Sequence, residues 1–106
     1  MANDFEIKQN DTWPPMKVLI SDAGVPMDLV TAGVASVAFN FTTGPNESVI
    51  EVGAIEGAYA TWTPSTTITA EVGAYPFEVE LTYENGKNTT IPSIGYFSLG
   101  VNKEID

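Results

Sequence analysis

The sequence contains no cysteine, no histidine and no arginine, and its few lysines face fourteen acidic residues. Without cysteine the chain forms no disulfide and has no thiol nucleophile or thiolate metal site. Without histidine it lacks the commonest general base and the commonest zinc ligand. Nucleic-acid affinity comes mostly from cations that contact phosphates, so a net charge of −10 indicates that nucleic acid is not a partner.

The chain also lacks long apolar runs and an export signal. Residues 1–4 have neither the basic start nor the apolar stretch of a signal peptide. The longest charge-free stretch, residues 29–46, contains glycine, proline and polar residues, whereas a membrane span needs ~20 mostly apolar residues. We therefore expect synthesis in a cytoplasm and no membrane association.

What is present favours β-sheet. Valine, isoleucine and threonine make up 30 of the 106 residues, whereas leucine occurs four times. Branched side chains lose rotamers in helices and pack well on pleated sheets. Nine glycines and seven prolines divide the chain into short segments, as a sandwich or barrel requires. The length is that of one domain, so residues 1–106 are predicted to form a single β-sandwich domain.

Alternating side chains predict an antiparallel sandwich of seven to nine strands. About eight strands are expected, at residues 5–8, 16–20, 34–41, 49–52, 57–62, 75–83, 88–92 and 94–101, of which 49–52 and 57–62 are short. The clearest is 75–83, with Glu78 and Glu80 on the face opposite the apolar one, and Asn85-Gly86 is a strong hairpin signal after it. The predicted core consists of Val37, Phe39, Phe41, Phe77, Val79 and Leu81.

A tyrosine near the start of the 75–83 strand predicts an immunoglobulin-type architecture. Tyr75 follows Glu71 by four residues and Gly73 by two. This spacing is similar to the tyrosine corner, in which the phenol donates a hydrogen bond to the upstream backbone and fixes the crossover between sheets.

Paired carboxylates are the main catalytic groups that this composition leaves. Glu78 and Glu80 would stand ~6.5–7 Å apart by strand rise, which matches an inverting glycosidase pair. Such an acid must be desolvated in a deep cleft, and a solvated sheet face is the simpler interpretation. Asp22 and Asp28 enclose a glycine, but this segment lacks the spacing of the calcium-binding helix-loop-helix loop. We expect no catalytic residue, no metal, no cofactor and no enzyme activity.

An aromatic residue beside two prolines is the predicted partner site. Trp13 precedes Pro14 and Pro15 in a loop, and tryptophan is enriched at interface hot spots. The alternative is a tryptophan that covers one end of the core. Trp62 is expected in the core or at its rim.

Several short motifs occur in a fixed order over residues 4–102. In chain order they are Gln9-Asn10-Asp11-Thr12-x-Pro14-Pro15, Asp22-Ala23-Gly24-x-Pro26-x-Asp28-Leu29, Val37-x-Phe39-x-Phe41, Gly57-x-Tyr59-x-x-Trp62, Ala70-x-x-Gly73-x-Tyr75-x-x-Glu78, Asn85-Gly86 and Thr90-x-Pro92. This order resembles the N-terminal immunoglobulin-like domain of bacteriophage baseplate upper proteins and small phage tail proteins of that kind.

The resemblance implies a non-enzymatic virion structural protein of the tail or baseplate, assembled in the host bacterial cytoplasm. Its partners would be other virion structural proteins, with a homo-oligomer in the particle. The last predicted strand ends near the end of the sequence, so we expect no receptor-binding domain after it. Ten net negative charges predict weak self-association that strengthens with salt.

Two other functions are compatible with a small all-β domain. A carbohydrate-binding or adhesion-type sandwich would show a planar row of exposed aromatic residues on one sheet face. A small enzyme would require a desolvated carboxylate pair. The predicted exposure of Glu78 and Glu80 on the best strand argues against both.

Overall fold

The computed structural model describes residues 3–92 and 95–103, in which eleven strands and one short helix form. The elements are β1 (Phe5–Lys8), β2 (Met16–Leu19), β3 (Ser21–Asp22), β4 (Val25–Pro26), β5 (Val34–Gly44), β6 (Glu47–Val52), β7 (Ala54–Glu56), β8 (Tyr59–Trp62), α1 (Thr66–Thr69), β9 (Gly73–Tyr83), β10 (Asn88–Ile91) and β11 (Phe97–Asn102).

The strands form two main sheets and a small hairpin. The first sheet has the order β1-β11-β9-β5-β6, and β10 pairs with the second half of β9 beyond the end of β11. Its pairs are antiparallel except for β1 and β11, which run parallel. The second sheet has the order β2-β8-β7, and β3 pairs with β4 alone.

This arrangement is the predicted immunoglobulin-like β-sandwich. Strands β5, β9 and β11 correspond to strands C, F and G of an immunoglobulin domain, and β2, β8 and β7 correspond to B, E and D. The strand count exceeds the predicted seven to nine because the two-residue strands β3 and β4 are included. No helix in the described part of the chain has the length and apolar character of a membrane span.

The core lies between the two main sheets. All six predicted core residues are buried, which confirms that prediction, and Trp62 joins them at 1% exposure. The Trp62 ring lies 4.7 Å from the Phe41 ring, so an aromatic contact links β8 of one sheet to β5 of the other. Such aromatic pairs stabilise by about 0.5–1.5 kcal/mol beyond the area that they bury.

The tyrosine corner is present. The Tyr75 hydroxyl donates a 2.8 Å hydrogen bond to the Glu71 carbonyl, as the spacing predicted. Tyr75 is half-buried, however, so the bond lies at the edge of the sandwich and not inside it.

Three local predictions need correction. The strand expected at 57–62 is β8, which begins at Tyr59 after a turn at Gly57, where φ is +58°, and no strand was expected at β7. The polar connection placed at 64–69 contains α1, which buries Ile68 and Thr69. The last strand was placed from residue 94, which lies outside the described residues, and β11 begins at Phe97.

The chain changes sheets at Gly53, between β6 and β7. The Gly53 amide donates a 3.0 Å hydrogen bond to the Val37 carbonyl in the first sheet. A Cβ at this position would lie 2.6 Å from Cε1 of Phe39 and 2.8 Å from the backbone oxygen of Thr61. The crossover therefore requires a residue without a side chain.

Candidate interaction surfaces

The loop between β1 and β2 holds Trp13 out in solvent. Trp13 is 70% exposed, so it does not cover the core, and Trp62 fills that interior position instead. The root of the loop is fixed to the segment around α1: the Asn10 amide donates to the Thr69 carbonyl at 2.8 Å, and the Thr69 hydroxyl donates to the Asp11 carbonyl at 3.1 Å. The Gln9 side-chain amide donates to the Ala70 carbonyl at 2.8 Å. Because the loop is already anchored, binding through Trp13 loses less conformational entropy than binding through a disordered loop would.

The two prolines of this loop face a different environment from Trp13. Pro14 and Pro15 line a cleft of about 180 Å³ that opens between β1 and β2. Phe5, Met16 and Trp62 line the same cleft, so its surface is largely apolar. The predicted trio is thus split: Trp13 projects into solvent, and the prolines form part of a cleft wall.

The predicted carboxylate pair is also split. Glu78 is half-buried beside a pocket of about 140 Å³ that Asn40, Thr42 and Tyr96 also line, whereas Glu80 is exposed and does not line it. Both carboxylates thus lie on the outer face of β9, but no described pocket is lined by the two together. Among residues 3–92 and 95–103, no three acidic side chains are grouped where they could hold a metal ion.

The same pocket contains one unpaired polar atom. Oδ1 of Asn40 is shielded from solvent and has no hydrogen-bond partner among the described residues. Asn40 lies on β5 opposite Ile50 of β6 and Glu78 of β9, so its side chain stands on the outer face of the first sheet. A shielded acceptor without a donor costs about 1–3 kcal/mol, and within residues 3–92 and 95–103 Oδ1 of Asn40 is the one buried side-chain polar atom without a partner.

Sequence reasoning missed Glu51, a half-buried acid whose carboxylate links the two sheets. Its Oε1 accepts a 3.1 Å hydrogen bond from Nε1 of Trp62 and a 2.5 Å hydrogen bond from the Ser65 hydroxyl. The bonds tie the edge strand β6 to the second sheet and give the buried indole N–H its partner. The alternation of β6 was the available signal, since Glu51 falls on the same face as the half-buried Val49.

The exposed aromatic residues do not form a row. Tyr59 is on the outer side of the second sheet, because its neighbour Ala60 is buried in the core. Tyr96 lies beside the pocket on the outer face of the first sheet. These two rings therefore stand on opposite sides of the sandwich, and Trp13 lies in the β1–β2 loop.

The outer edge of the first sheet carries exposed apolar side chains. Ile50 is 69% exposed and Val52 is 85% exposed, and both belong to β6. Single exposed apolar residues are ordinary, but two on one open edge strand form a surface that can pair with another strand.

No protein-family model, no curated protein and no solved structure matches the chain.

Proposed function

We propose that the protein is a non-enzymatic structural component of a bacteriophage particle that acts in the assembly of the tail or baseplate. The observation that carries the proposal is Trp13, a large aromatic residue 70% exposed on a loop that three hydrogen bonds anchor to a distant part of the chain. Exposed tryptophans on rigid supports are typical anchors of protein interfaces. The order of the sequence motifs supports the assignment to phage tails.

The surface chemistry supports a binding module better than an enzyme. The carboxylates of Glu78 and Glu80 do not converge on one pocket, and the composition supplies no histidine or cysteine. We expect no hydrolysis of chromogenic glycoside, peptide or phosphoester substrates. Turnover that Glu78→Gln or Glu80→Gln abolishes would contradict this part of the proposal.

A carbohydrate-binding or adhesion module is the other candidate function. It would need exposed aromatic rings on one face, whereas Tyr59 and Tyr96 lie on opposite faces. No further observation favours it, so assembly is the better supported function.

Incorporation into particles tests the proposal. Particles purified from a host that produces the protein should contain it by mass spectrometry. Trp13→Ala should lower incorporation while the circular dichroism spectrum and urea midpoint stay unchanged. Tyr96→Ala is the matched control, since Tyr96 is also exposed, at 64%, but lies on the outer face of the first sheet. Absence of the protein from purified particles would refute the virion role. If Trp13→Ala and Tyr96→Ala lowered incorporation equally, the proposed contact through Trp13 would be wrong.

A further inference from the structure

Strand β6 is an open edge of the first sheet. Among the residues that the structure describes, β6 pairs with β5 alone. The Gly53 amide points toward β5, because it donates to the Val37 carbonyl. Alternate residues of a strand direct their backbone groups to opposite sides. The amides of Val49 and Glu51 therefore face β5, and those of Ser48, Ile50 and Val52 face the open edge.

Natural edges are protected by charged side chains, especially lysine, by proline, short length, bulges or inward-pointing charges. Strand β6 has some of these features, because Glu51 points inward and the ladder with β5 shifts register between Thr42 and Gly44. At the opposite edge of the same sheet, β1 contains Lys8, and the prolines of the β1–β2 loop line a cleft beside it. Strand β6 has six residues, with neither lysine nor proline, and it exposes Ile50 and Val52 on its outer face. Its unpaired backbone and apolar side chains together fit an extended strand.

We propose that β6 pairs antiparallel with β6 of a second copy of the chain, about a two-fold axis at Ile50. In this register Ile50 opposes Ile50, Ser48 opposes Val52, and Val49 opposes Glu51. Residues whose amides face the open edge in one copy lie opposite residues of the same kind in the other copy. Side chains on the outer face of one sheet lie beside side chains on the outer face of the other, as an antiparallel ladder requires.

Charge selects this register over its neighbours. A shift by two residues in one direction places Glu47 opposite Glu51, and a shift in the other direction places Glu51 opposite Glu51. Like charges directly opposite each other destabilise a strand pair. In the register centred on Ile50 no acidic residue opposes another, and Glu51 is already engaged inside the sandwich by Trp62 and Ser65.

The pairing is isologous, so it ends at a dimer and does not propagate into a filament. Each copy has a net charge of −10, and this repulsion weakens the dimer at low ionic strength. The Debye length shortens from about 10 Å at 0.1 M salt to about 3 Å at 1 M. Added sodium chloride therefore weakens the repulsion between the two copies and strengthens association. The dimer depends on β6 alone and not on the virion role, so the two proposals fail separately.

Sedimentation equilibrium of the whole chain, at about 0.1 M and about 1 M sodium chloride, tests the dimer. We expect a monomer–dimer equilibrium that shifts toward dimer with salt. Ile50→Lys places two like charges at the axis and should weaken association about tenfold or more. Val30→Lys is the control, because it changes the net charge equally at another exposed site, 70% accessible. Val30→Lys should associate as well as the parent or better.

Amide hydrogen exchange on the unmodified chain gives a second readout that does not depend on how a variant folds. The amides of Ser48, Ile50 and Val52 should exchange more slowly at high salt and high protein concentration than at low concentration. A monomer under all conditions would overturn the proposal. A dimer that Ile50→Lys leaves intact, or protection confined to another strand, would overturn it as well. Protection of these amides by a different protein's strand, without self-association, would show that the occupant is not a second copy.

Discussion

The Tyr75 hydroxyl donates a 2.8 Å hydrogen bond to the carbonyl of Glu71, four residues earlier in the chain. The bond joins the first residues of β9 to the segment that follows α1, where the chain enters the first sheet. Because Tyr75 is half-buried, the Glu71 carbonyl can bond to water when the phenol is removed. The corner therefore orients the crossover more than it stabilises the fold.

The first prediction concerns this bond. Tyr75→Phe should lower the free energy of unfolding by about 0.5–1 kcal/mol, in the lower part of the usual range for one hydrogen bond. Urea unfolding at neutral pH measures the loss. Tyr59→Phe, on the exposed outer face of the second sheet, is the matched control and should change stability less. A Tyr75→Phe variant with parental stability would show that the corner bond contributes nothing.

The second prediction concerns high pH. Burial raises the pKa of Tyr75 above 10.0, and the negative charge of Glu71 raises it further. The unfolded chain then loses the Tyr75 proton at a lower pH than the folded chain does. The stabilisation is complete below the unfolded pKa and is lost as the pH rises through the folded pKa.

Unfolding by urea at several pH values between about 9 and about 11 tests this linkage. Stability should fall more steeply with pH in the parent than in Tyr75→Phe, because the variant has no phenol to ionise at this site. Parallel pH profiles for the two proteins would contradict the assignment of a raised pKa to Tyr75.

The third prediction concerns the crossover glycine. Gly53→Ala would place a methyl group 2.8 Å from the Thr61 backbone oxygen and 2.9 Å from Cγ2 of Val37. We expect a loss of about 1–3 kcal/mol, the usual cost of overpacking. Gly44→Ala is the control, since the nearest atom to its Cβ belongs to the flexible carboxylate of Glu47, which can move away. Equal stabilities of the two variants in urea would show that the crossover tolerates a side chain.

Local alternation was sufficient to predict the centre of the fold. Strands β5 and β9 are the longest. Apolar residues alternate without interruption from Val37 to Phe41 in β5 and from Phe77 to Leu81 in β9, so the two-residue period predicted both strands and their core residues. The tyrosine corner also followed, because its two partners are four residues apart. Contacts of this kind depend on sequence neighbours.

The surfaces depended on distant partners and could not be predicted in the same way. Trp13 is exposed because the root of its loop bonds to Thr69 and Ala70, about sixty residues away, and the local sequence Trp-Pro-Pro fits either outcome. The open edge at β6 is a property of strand order, which no local pattern contains. The sequence around Gly53 is compatible with an ordinary turn, and the need for glycine there is evident only from the contacts between the two sheets that it joins.

The last prediction concerns Glu51, the acid that closes the interior beside Trp62. Its carboxylate accepts hydrogen bonds from the Trp62 indole and the Ser65 hydroxyl, and Trp62 is 1% exposed. Glu51→Ala leaves the indole N–H buried without an acceptor, which costs about 1–3 kcal/mol. Glu51→Gln keeps an acceptor oxygen and should lose less.

Urea unfolding with tryptophan fluorescence measures both changes, since the emission of Trp62 also reports its surroundings. Glu80→Ala is the control, because Glu80 is exposed on the outer face of the same sheet and should alter stability by less than about 0.5 kcal/mol. If Glu51→Ala were as stable as Glu80→Ala, the carboxylate would not be the group that holds β6 against the second sheet. The order expected is parent, then Glu51→Gln, then Glu51→Ala, because glutamine keeps one acceptor oxygen for the two donors but loses the negative charge, whereas alanine removes the acceptor altogether.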